Sequence, residues 1–101
     1  MRLSKSEIKT IKRVTCEVWG SQTHIYLFGS RTDDSKKGGD IDLFINLQEE
    51  QVPKEIMLKK TEFLGKLDLL LGEQKIDLLV STHYNNHLSI IKTALLTGVE
   101  L

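Results

Sequence analysis

Three aspartates and one Gly-Ser pair carry the residue types in this chain best suited to chemistry. Asp40 and Asp42 stand two apart in Gly39-Asp40-Ile41-Asp42-Leu43, at the opening of an apolar run. Residues two apart on a strand share a face, so the two carboxylates emerge together. Like charges that close repel, and one is pushed toward protonation unless something positive sits between them. An aspartate at a strand's start can be a simple loop cap, which accounts for Asp40. It accounts poorly for Asp42, flanked by Ile41 and Leu43. Asp77 lies between Ile76 and Leu78 in a second apolar run, where aspartate is disfavoured. If the two runs are neighbouring strands, all three carboxylates can converge. Such a trio suits hard Mg²⁺, with nucleotide phosphates completing the shell. Zinc would call for histidine or cysteine.

Gly29-Ser30 supplies a second element. Glycine lets the backbone come close to a phosphate, Ser30 adds a hydroxyl, and a helix starting there would offer free N–H groups to an anion. Most Gly-Ser pairs are plain turns. This one gains weight only beside the aspartates.

The elements that must position these residues follow from spacing. Ser4-Lys5-Ser6-Glu7 is a capping box. Ile8, Ile11, Thr15 and Val18 continue at helical spacing, with Lys5, Lys9, Lys12 and Arg13 on other faces, and Gly20 closes the helix. Cys16 is expected to pack beside Trp19. His24 to Phe28 reads as a strand stopping at Gly29. Residues 29–40 have loop composition. From 40 to 47, Ile41, Leu43, Ile45 and Leu47 alternate with Asp40, Asp42, Phe44 and Asn46, and the first set forms the core face.

Pro53 suits a first helical turn, and the helix it opens runs to about Leu71 with Ile56, Leu64, Leu67 and Leu71 inward. Gly72 ends it. Lys75 to Ser81 is a third strand with Ile76, Leu78 and Val80 toward the core. Asn85 or Asn86 would cap a last helix carrying Leu88, Ile91 and Leu95 and ending near Gly98. His83, Tyr84 and His87 are read as capping or packing that helix. The first two strands, joined by a loop of about a dozen residues, can pair antiparallel. The second and third, joined through a helix, favour a parallel crossover. The fold class is α+β in two layers: a small mixed sheet with helices on one face and the acidic residues on the other.

The bulk numbers narrow the setting. The 101 residues fit one domain spanning 1–101. With 14 basic and 14 acidic residues the net charge is zero, so stable nucleic-acid binding is not expected. The single cysteine allows no intrachain disulfide. No signal peptide and no membrane-length apolar run is evident, and a cytoplasmic protein is expected.

At FGSR and GDIDLFI, with Asp77 later, the chain resembles the nucleotidyltransferases of the DNA polymerase beta superfamily, whose fold is palm-like. Within that group it looks like the minimal nucleotidyltransferases, which usually act as antitoxins of a neighbouring HEPN-domain toxin. The resemblance covers nearly the whole chain. It implies that Gly29 and Ser30 hold the terminal phosphates of ATP, and that Asp40 and Asp42 bind two Mg²⁺ ions. Asp77 would share one metal and help deprotonate the acceptor hydroxyl. Arg31 would neutralise phosphate, or is a surface arginine. The implied activity is AMP transfer from ATP to a hydroxyl, a tyrosine of a HEPN partner in a hetero-oligomer. The nine-residue spacer from Ser30 to Asp40 is shorter than is common among antitoxins that modify their toxin. The alternatives are a non-catalytic antitoxin or nucleotide-binding module acting by occlusion, and transfer to a small-molecule or RNA acceptor.

Overall fold

The capping box forms as its sequence implies. In the computed structural model Ser4 Oγ accepts from the Glu7 N–H at 3.1 Å, and Glu7 Oε1 accepts from the Ser4 N–H at 2.9 Å. The structure describes residues 3–28, 40–47, 51–72, 74–82 and 88–101, without the side chains of Asp40 and Ile90. The capped helix α1 spans Lys5–Trp19 and ends at Gly20, whose φ of 111° is strained for any residue with a Cβ. Strand β1 (Ile25–Phe28) and strand β2 (Asp40–Asn46) follow. Helix α2 (Pro53–Leu71) opens on its proline, where the missing N–H costs nothing, and ends at Gly72. Strand β3 (Lys75–Ser81), helix α3 (Ser89–Thr97) and strand β4 (Val99–Glu100) complete the order.

The four strands form one mixed sheet in the order β3-β2-β1-β4. β1 pairs antiparallel with β2, with Leu27 opposite Leu43, and β2 pairs parallel with β3, with Leu43 opposite Leu78. Both directions agree with the connection lengths. The first sheet face is the expected one. Ile41, Leu43 and Ile45 of β2 are buried with Ile25, Leu27, Leu78 and Val80. Against them lie Ile11, Val14, Val18 and Trp19 of α1 and Phe63 and Leu67 of α2. Trp19 and Phe63 meet edge to face at 6.4 Å. Each such side chain removed from water contributes about 1.5–3 kcal/mol, so this layer holds α1 and α2 to the sheet. No helix among the described residues is long and apolar enough to cross a membrane.

Three expectations change. Helices on one face describes α1 and α2 only; α3 packs on the other face, where Ile91 and Ala94 are buried with Phe44 against Tyr26, Phe28 and Leu79. Strand alternation makes two apolar faces at mid-strand, and the second needs a cover of its own. Cys16 is exposed on α1 instead of packed beside Trp19, because its helical position falls between the buried Thr15 and the solvent-facing Glu17. The segment after α3 is a fourth strand, pairing Glu100 with Tyr26 and Val99 with Leu27. Gly98 makes that turn possible: a Cβ there would sit 2.7 Å from the Ala94 carbonyl oxygen and 3.2 Å from Tyr26 Cβ. The proposed caps Asn85 and Asn86, together with His83, Tyr84 and His87, lie outside the described residues. α3 is preceded by Leu88, which makes no side-chain cap.

Candidate active site

The second sheet face divides into rows that run across the strands. Tyr26, Phe44 and Leu79 form one row by register, and α3 covers it. Two residues toward the start of β2, the next row is Phe28, Asp42 and Asp77. One further step gives Asp40 opposite Lys75. The chemistry-bearing residues thus collect where β1 ends and β2 and β3 begin.

Asp42 and Asp77 are direct register partners across the parallel β2–β3 pair. Side chains at opposed positions project from the same face, and neighbouring strands lie about 4.8 Å apart. The two carboxylates are therefore close neighbours, as the sequence argument required. Asp42 is half-buried and Asp77 exposed. Their positions are set by the apolar residues around them. Ile41 and Leu43 are fully buried on the opposite face, and Leu78 beside Asp77 is buried there too. That alternation compels both aspartates to point away from the α1–α2 layer.

The other candidates are placed less fully. Asp40 is the first residue of β2, two positions from Asp42, and its side chain lies outside the described part. Gly29, Ser30 and Arg31 lie outside the described residues. Covalently they follow Phe28, the β1 member of the row that contains both aspartates. Among the described residues no three His, Cys, Asp or Glu side chains cluster as metal ligands, so the described donor set is the pair Asp42 and Asp77. Two opposed carboxylates are hard oxygen donors that repel one another, and a small divalent cation with phosphate oxygens answers both needs.

Two neighbours escaped the sequence argument. Phe28 is the half-buried aromatic opposite Asp42 and forms the apolar side of the row. Its place in the β1 alternation, one step beyond Leu27, was the available signal. Lys75 stands opposite Asp40 at the head of β3, a cation in register with the acidic segment; it became visible only with the strand pairing. Elsewhere, a cavity of about 310 Å³ between Trp19, Thr23, Asn46 and Gln51 lies at the other end of β2, away from the aspartates. Among the described residues the buried Trp19 Nε1 has no hydrogen-bond partner. A cavity there gives no reason to move the candidate site from the acidic row.

Comparison with known proteins fits this geometry. Residues 8–98 match the family model described as "Nucleotidyltransferase domain". The match begins in α1, reaches the α3–β4 turn, and includes both Asp42 and Asp77 with the strands that carry them. No curated protein matches the chain.

Proposed function

Because the chain belongs to the nucleotidyltransferase domain family, we propose that it transfers AMP from ATP, with Mg²⁺, to a hydroxyl, the tyrosine of a HEPN-domain partner encoded nearby. Nucleotidyl transfer in general follows from the family, whose members generally use a nucleoside triphosphate and a divalent metal. The single observation that supports metal-assisted chemistry at this site is the opposition of Asp42 and Asp77 on the open part of the second sheet face; the tyrosine acceptor and the HEPN partner rest on the resemblance of the sequence motifs.

In this proposal Asp40, Asp42 and Asp77 hold the metal, and Gly29, Ser30 and Arg31 hold the phosphates. When bound, Mg²⁺ supplies charge that favours the attacking and leaving oxygens of an in-line displacement at the α-phosphorus. The bond from the acceptor oxygen to phosphorus forms, the bond to pyrophosphate breaks, and the hydroxyl proton passes to the Asp77 carboxylate. Asp77, the more exposed partner, accepts the hydrogen bond of the incoming hydroxyl. Asp42, half-buried and flanked by buried residues, keeps a fixed orientation. Phe28 shields the β1 side of the row. Exposure of the row suits an acceptor carried by another protein.

The test is incubation of the protein with labelled ATP, Mg²⁺ and the HEPN-domain product of the adjacent gene. Label should appear on a partner tyrosine and vanish with Asp42→Asn. Metal-dependent ATP binding without any label transfer would sink the proposed acceptor. Toxin neutralisation that survives Asp42→Asn unchanged would favour occlusion without chemistry.

A further inference from the structure

The face of α2 turned away from the sheet is built for contact. Leu58 is 62% exposed and Leu69 85% exposed, and with Thr61 and Gly65 they form a stripe opposite the buried Phe63 and Leu67. Gly65 is the odd member. Glycine is among the poorest helix formers, and it stands in mid-helix. Among the described residues a Cβ at Gly65 would meet nothing within 4 Å, so no contact described within the chain calls for its absence. A bare backbone flanked by exposed leucines is a surface into which another helix can settle.

The charges around the stripe identify the occupant. From the geometry of this helix we infer that α2 pairs antiparallel with α2 of a second copy of this chain, with Leu58 of each resting on Gly65 of the other. A two-fold axis near Thr61 produces this arrangement to within one residue along the helix. The same axis brings Lys54 to Asp68, Glu55 to Lys66, and Lys59 to Glu62, each pair on one flank and each opposite in sign. A two-fold interface must complement itself, residue i meeting j while j meets i. A surface shaped for an unrelated protein has no need for its own two halves to match about one point. Within the chain Lys66 lies 3.5 Å from Glu17 and 3.7 Å from Glu62, and Lys59 donates to Gln51 at 2.9 Å. Lys54 and Asp68 make no such side-chain contact among the described residues, so their pairing, made twice in the dimer, does most to set direction. The acidic row lies on the sheet face opposite to α2, so both copies keep it open.

Sedimentation equilibrium of the full chain over a wide concentration range tests the inference. The wild type should show a reversible monomer–dimer equilibrium. Gly65→Gln improves helix propensity and so keeps the fold, seen as an unchanged or higher melting temperature of the dilute protein. It should raise the dimer dissociation constant at least about tenfold. Lys54→Glu and Asp68→Lys should each weaken the dimer, and the double variant should restore it. A chain that stays monomeric to millimolar concentration overturns the inference and leaves the face to a different protein. A dimer indifferent to Gly65→Gln, or unrestored by the double charge swap, overturns it as well.

Discussion

Two adjacent rows of one sheet face have opposite fates. In the row Tyr26–Phe44–Leu79, Phe44 is 0% exposed, lies 5.9 Å from the Tyr26 ring and is roofed by Ile91 and Ala94. In the row Phe28–Asp42–Asp77, one step along the same strands, a half-buried aspartate faces an exposed one. Alternation and strand are the same in both. The difference lies in where α3 crosses the sheet. One row serves packing and the next holds the proposed chemistry, with a step of two residues between them.

This contrast can be broken by exchanging the character of the rows. The largest effect is expected from Phe44→Ala, which removes the centre of the covered row and should lower unfolding free energy by about 3–5 kcal/mol in urea titration. In the open row Asp42→Asn should reduce nucleotidyl transfer by more than about a hundredfold, since even residues behind metal ligands cost 10- to 100-fold when changed. Asp77→Val sharpens the comparison most. An exposed aspartate in a strand is there at the expense of stability, so valine should raise unfolding free energy by up to about 1 kcal/mol while transfer is lost. A fall in stability would mark Asp77 as structural. The smallest effect belongs to the far edge of the covered row. The imidazole of His24 meets the Glu100 carboxylate on β4, both exposed. Glu100→Gln should lower stability by only about 0.2–1 kcal/mol, read from the same titration.

Much of this arrangement could be read from residue order because its signals are local. The Ser4–Glu7 box, Pro53 and Gly72 set helix ends through interactions within a turn, and β3 occupies the expected Lys75–Ser81. Asp77 stood out because a charge inside an apolar strand contradicts its surroundings. What escaped depends on distant partners. A two-residue strand such as β4 carries no periodicity, and only its pairing with Tyr26 and Leu27 makes it a strand. The full burial of Phe44 could not be separated from the partial exposure of Asp42, since both stand on the same alternating set. Only the path of α3 distinguishes them. Cys16 shows the reverse error: a small apolar residue near Trp19 suggested packing, while its angle on the helix placed it outside.

The β1–β4 pairing also has a consequence in time. It joins residues separated by about three quarters of the chain, whereas β1–β2 and β2–β3 join strands adjacent in sequence order. Ordering so long a loop for two residues of strand is repaid only after β1 and β2 already present a template. β4 is therefore the last strand to join, and α3, tethered to it through Gly98, settles over Phe44 in the same step. Until then the buried row and the acidic row are alike open to water, and the candidate site acquires its upper border only when α3 docks.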